Sequence, residues 1–219
     1  MEYAKNMPGT WEEAKKEIEG VLINISEAGK AADGDLFISA GEYGFDDLII
    51  VPVLKNCNVV RCVTRSDLEK WGIDKKALFA TVLDQIKEPY VMPMGKVLAA
   101  LRGVEYDPFY DMVLPMFVIT NGLPNDRIGA IGIIKARKQL DAMFPDGYTV
   151  IPSSTAEMIV LPGHVEDEFV MGMIRIVNGS ECVGDDMILG TKPYYFDGKN
   201  TQAGGERHEY ACNNSSANR

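Results

Sequence analysis

Histidine is scarce in this 219-residue chain, where His164 and His208 are the only two. The four cysteines, Cys57, Cys62, Cys182 and Cys212, include no C-x-x-C pair. Zinc sites draw on those two residue types at short spacings, so no metal centre is expected and no cofactor is indicated. Cys57 and Cys62 lie five apart in an extended run, which sends them to opposite faces and opposes a disulfide. Reduced thiols fit a cytoplasmic chain. No apolar run approaches the about 18 residues of a membrane span. The first six residues, Met1-Glu-Tyr-Ala-Lys-Asn, hold no signal-peptide core, so the expected location is cytoplasmic, with no membrane contact. Cations are in the minority, 22 Lys and Arg against 32 Asp and Glu, for a net charge of −10. Phosphate contacts need clustered cations, so direct nucleic-acid binding is not expected. No G-x-G-x-x-G or G-x-S-x-G occurs, and the G-x-x-G at 129–132 lacks the spacing of a dinucleotide loop.

What is present is an ordinary core-forming composition, 46% hydrophobic and 25% charged. The best-organised stretch is YTVIPSSTAEMIVLP at 148–162. Two β-branched and apolar runs flank a polar turn, which predicts a hairpin. A second hairpin is expected from 48–54 and 59–63 around Asn56 and Asn58. Pro52 has no amide hydrogen for a ladder, which places its strand at an edge or at a bulge. The capping box of Thr10 and Glu13, followed by apolar residues at helical spacing, predicts a helix over 11–28. Further helices are predicted at 65–71, 75–87, 93–101, 135–143 and 165–178. Strands are predicted at 112–120, 128–134 and 192–197, with a loop over 107–111. Gly129 and Gly132 would admit another backbone or a ligand closely. Hairpins between groups of helices define an α+β domain on a largely antiparallel sheet. The expected organisation is an N-terminal tail and helix at 1–34, the α+β domain at 35–197 and a disordered tail at 198–219.

PSSTAEMIVLP, MFVITN at 116–121, GAIGII at 129–134, VTRSDLEKWGI at 63–73 and PYYFD at 193–197 resemble a family of uncharacterised proteins of anaerobic Gram-positive gut bacteria and their mobile elements. The pattern is distantly similar to YtpQ-like proteins. The resemblance covers roughly 48–197 and implies no reaction, ligand or catalytic residue. The family pattern commonly reads P-S-S-V-H-E, and this chain has Ala156 in place of the histidine.

Ser153, Ser154 and Glu157 are the candidate polar site. A serine nucleophile needs a base and a group to orient it, and only His164 is near in sequence, so no catalytic residue is assigned. The same hydroxyls equally bond turn amides. Tyr106, Phe109, Tyr110, Tyr194 and Tyr195 sit beside acidic residues and are candidate anchors of a protein interface; alternate members equally fill a core. The favoured reading is a non-catalytic acidic accessory or inhibitory protein that binds a protein partner with a basic, nucleic-acid-handling surface. A hydrolase or transferase of a small substrate at the Ser153 and Glu157 turn is the alternative, and self-association is a third.

Overall fold

A computed structural model describes residues 8–56, 59–113, 115–121, 128–180 and 183–198. The predicted turn at 57–58, the connection at 122–127 and the tail from 199 lie outside the described residues.

In chain order the elements are α1 (Trp11–Ala14), β1 (Ile18–Asn24), α2 (Ala28–Ala31), β2 (Ile38–Ser39), β3 (Leu48–Asn56), β4 (Val59–Cys62), α3 (Arg65–Trp71), α4 (Lys75–Asp84) and β5 (Tyr90–Pro93). There follow α5 (Met94–Arg102), α6 (Phe109–Val113), β6 (Phe117–Thr120), α7 (Ile133–Met143), β7 (Tyr148–Ser154), β8 (Glu157–Pro162), α8 (Asp167–Asn178) and β9 (Tyr194–Phe196). Both sheets are antiparallel. In the first, β3 lies between β1 and β2, and β4 also pairs with β3. The second runs β5-β6-β8-β7-β9. This is the expected α+β class, with the sheet divided in two.

The capping box at Thr10 is present, with Glu13 accepting from the Gly9 and Thr10 amides. Those amides hold the Glu13 carboxyl below its usual range. The helix nevertheless lasts one turn, and residues 18–24, expected to be helical, form β1. Ile18, Gly20 and Leu22 alternate inward there. Gly20 weakens a helix by about 1 kcal/mol, and β-branched Ile18 and Ile23 suit a strand. Gly20 is also where Ile131 and Val82 press closest, with a Cβ there falling 2.6 Å and 2.8 Å from them. Tertiary packing therefore overrides the helical spacing.

Pro52 does not lie at an edge strand, since β3 has neighbours on both flanks. Its carbonyl accepts from the Val63 amide, so its nitrogen faces the same flank, at the gap between the β2 and β4 pairings. No ladder bond is required of it there.

Residues 129–132, expected to open a strand, form a 3-10 turn that runs into α7. The stretch 107–111, expected as loop, contains the start of α6, because the Asp107 carboxylate accepts from the Phe109 amide and Pro108 suits a first helical turn. The strand predicted at 112–120 is correspondingly shortened to β6.

The main core lies between the sheets. Ile18, Leu22, Ile50 and Leu54 of the first share one buried cluster with Ile119, Val150, Met158 and Val160 of the second, joined by Leu78 and Val82 of α4 and Ala136 and Leu140 of α7. A smaller core on the far face of the second sheet joins Ile151, Ile159 and Leu161 to Val170 and Ile174 of α8. Among the described residues, no helix is long and apolar enough to cross a membrane.

Candidate functional site

The polar turn between β7 and β8 is built into the interior. Ser153, Ser154 and Thr155 are 3%, 4% and 5% exposed. The Thr155 amide donates to the Met187 carbonyl at 2.9 Å, and the Ala130 amide donates to the Thr155 carbonyl at 3.0 Å. The Thr120 hydroxyl donates to the Ala156 carbonyl at 3.0 Å. The Ser154 hydroxyl accepts from the Ala156 amide at 3.2 Å. The turn is thus clasped by the 129–132 segment on one side and by 185–187 on the other. The register of β7 against β8 shifts between Ile151 and Ser154, which fits a bulge that re-aims the strand end.

Gly129 makes this clasp possible. A Cβ there would fall 2.1 Å from the Ala156 carbonyl oxygen and 2.2 Å from Thr120 Oγ1. The close approach expected of Gly129 from sequence is therefore a contact with this turn.

The Ser153 hydroxyl reaches Glu157 Oε1 at 3.5 Å. Burial pushes the Glu157 carboxyl up, against a smaller opposing effect of the Ser153 hydrogen bond. The structure brings Ser153 and Glu157 together, as the sequence suggested. A buried hydroxyl leaning on a carboxylic group can share a proton, but attack on a substrate would first require the clasp to open. His164 lies elsewhere: its ring stacks on Tyr195 at 4.0 Å, and Tyr195 donates to Asp167 at 2.5 Å. Burial and that bond push the Tyr195 phenol up to about 12. Among the described residues, no group of three or more His, Cys, Asp or Glu is arranged to hold a metal ion.

The five candidate aromatic anchors separate. Tyr194 fills the core edge-on to Phe45 and donates to Asp47 at 2.6 Å; as a core residue it is not an exposed anchor. Strand alternation turns Tyr195 to the opposite face of β9. Tyr106, Phe109 and Tyr110 converge on the pair α5 and α6. Gly95 of α5 lets α6 approach, because a Cβ there would sit 2.7 Å from Asp111 Oδ1 and 3.0 Å from Tyr110 Cβ. The Tyr106 hydroxyl donates to the other oxygen of Asp111, which pushes the phenol above its usual range, with burial adding to it.

Between the two helices runs an apolar groove of about 290 Å³, bordered by Leu98, Ala99, Val104, Tyr110 and Val113, with Arg102 and Glu105 at its margin. Around it, large side chains stand in water: Met112 is 80% exposed, Leu101 78%, Val113 65% and Phe109 61%. Val104 and Val113 belong to the lining of the groove, while Leu101, Phe109 and Met112 are exposed on the same two helices outside it. Its acidic side carries exposed Glu105 and Asp107, and residues 104–113 include three acids and no base. Leu101, Val104, Met112 and Val113 were not among the sequence candidates. From sequence, Leu101 stands at the end of a predicted helix and Met112 at the start of a predicted strand. The available signal was Asp107-Pro108, which starts a second short helix and so turns the following apolar side chains outward.

Two antiparallel sheets that share one core, a buried polar turn and an exposed apolar groove make this an α+β protein. Residues 44–198 match a family of unknown function, DUF5688, and the chain belongs to that family. No curated protein and no solved structure matches the chain.

Proposed function

We propose that this chain is a non-catalytic, acidic protein-binding module whose α5 and α6 face takes a basic, amphipathic segment of a protein partner. The observation that carries this reading is the apolar groove bordered by Val104 and Val113, with Leu101, Phe109 and Met112 also exposed on α5 and α6. Apolar residues supply affinity; Arg102 and Glu105 both border the groove, exposed Asp107 adds an acid nearby, and the chain's net charge of −10 sets the preference for a cationic segment. A cationic segment is steered toward such a face, and an anionic one is repelled. Surfaces that handle nucleic acid are rich in such cations, so an accessory or inhibitory role toward a nucleic-acid-handling protein, in the mobile-element setting that the sequence resemblance implies, follows as the biological version.

The test uses a labelled synthetic 20-residue Leu/Lys helix, followed by fluorescence anisotropy. Binding is expected to weaken as salt rises and to fall about tenfold or more in Phe109→Asp or Met112→Asp, since each loss of a buried anchor is worth 2 kcal/mol or so. A Leu/Glu helix is expected not to bind. No binding of the Leu/Lys helix, or binding indifferent to both salt and Phe109→Asp, overturns the proposal.

A further inference from the structure

Helix α8 carries more apolar surface than its own fold covers. Val170 and Ile174 are buried against the second sheet. Successive helical residues turn by about 100°, so Phe169, Met173 and Ile176 share a stripe displaced from that buried face. Phe169 is 59% exposed and Ile176 75%, with half-buried Met173 between them. Gly172 lies on the same stripe, and a Cβ added there would meet nothing within 4 Å. A helix with apolar residues beyond its buried face is one that another surface covers.

The charges beside the stripe identify what covers it. Glu168 and Arg175 are both exposed and stand seven residues apart, two turns along the same flank. Neither has an ion-pair partner among the described residues. Two such helices placed antiparallel about a two-fold axis near Gly172 bring Glu168 of each copy opposite Arg175 of the other. The same operation sets Phe169 against Gly172 and Ile176 of the second copy. A parallel two-fold pair would instead carry this flank to opposite sides of the interface, with neither charge facing its counterpart. Self-complementarity of this kind is what a two-fold interface requires, each contact being made twice.

We infer that α8 is the interface of a symmetric homodimer, with antiparallel helices crossing at Gly172 and two reciprocal Glu168–Arg175 ion pairs. No residue of α8 lines the α5 and α6 groove, although Met94 at the start of α5 packs on the same small core as Met173, so variants of the two faces are scored separately. The experiment is sedimentation equilibrium of the full chain from about 1 to 200 µM, a range matched to a small, reversible interface. A monomer–dimer equilibrium is expected. Ile176→Lys and Gly172→Leu, both at positions with open space, are expected to leave folded monomers by circular dichroism. Glu168→Arg is expected to raise the dimer Kd about tenfold by turning two attractions into repulsions, and the double variant Glu168→Arg/Arg175→Glu is expected to restore it. A chain monomeric throughout the range, a dimer insensitive to Ile176→Lys, or a charge-exchanged double variant no tighter than Glu168→Arg would each overturn the inference.

Discussion

Replacing Gly129 by alanine is the sharpest test of how the polar turn is held. Gly129 does not have a positive φ, so alanine is conformationally permitted and the effect is purely one of space. The added Cβ would lie 2.1 Å from the Ala156 carbonyl oxygen, a backbone atom that no rotamer change can move, and 2.2 Å from Thr120 Oγ1. Relief requires the 129–132 segment to withdraw from the turn by more than an ångström. That withdrawal breaks the Ala130 to Thr155 amide bond and the Thr120 to Ala156 bond, both 3.0 Å. Two hydrogen bonds at about 1 kcal/mol each and about 1–3 kcal/mol of overpacking strain sum to roughly 3–5 kcal/mol. A chain of this size loses about 2–4 °C of Tm per kcal/mol, so the expected drop is roughly 6–20 °C by differential scanning calorimetry. Gly172→Ala is the matched control, because its Cβ meets nothing within 4 Å and alanine favours a helix interior by about 1 kcal/mol. At sub-micromolar concentration it should melt no lower than the parent. A Gly129→Ala protein melting within about 2 °C of the parent would refute the clasp.

Tyr148→Phe removes the donor at 2.9 Å from Asp141, leaving a buried carboxylate without that bond; a loss of about 2 kcal/mol is expected in urea denaturation. Asp67 accepts a two-pronged bond from Arg61, at 2.7 Å and 2.9 Å, and one from the Thr64 amide. Burial opposes its ionisation, but these partners outweigh it and lower its carboxyl. The resulting stability is full above the ordinary aspartate value of about 3.9 and lost as pH falls through the lower folded value. Asp67→Asn should therefore cost about 2 kcal/mol at pH 7, with the gap to the parent closing in acid. Glu157 has the opposite sign, because burial raises its folded carboxyl. Its ionisation destabilises the fold above that raised value and is harmless below the unfolded one. Glu157→Gln should melt higher than the parent at pH 7, and the two should converge near pH 4; a lower Tm at pH 7 would contradict the burial argument.

The hairpin at 148–162 was legible because its β-branched runs, its turn and its length agree at every level. Helices α3, α5 and α8 were legible for a similar reason, with Thr64 and Gly72 bounding one and Pro93 and Gly103 another. Strand β1 was not, since Ile18, Val21, Leu22 and Ile25 satisfy a helical spacing while Ile18, Gly20 and Leu22 satisfy a strand, and only the pairing with β3 decides. The segment 129–134 misled in the other direction: Ile and Gly content suggests a strand, but Gly129 and Gly132 are spaced for contact with the β7–β8 turn and with Asn121 and Pro89. Of the site candidates, proximity of Ser153 to Glu157 followed from hairpin register, whereas their burial depended on segments distant in sequence. Tyr106, Phe109 and Tyr110 were candidates by residue type alone. Their apolar neighbours were missed because exposure is set by how α6 folds against Gly95.

The claim that the α5 and α6 face is a docking surface is tested most directly by methyl NMR of methionine-labelled chain during addition of the Leu/Lys helix. Met112, 80% exposed on α6 and next in sequence to Val113 of the groove, reports on the face, and Met158, fully buried in the main core, reports on the interior. The Met112 methyl is expected to shift saturably with peptide while Met158 stays in place, and added salt is expected to reverse the shift. A Met112 signal that does not move, while the peptide binds elsewhere or not at all, would contradict it.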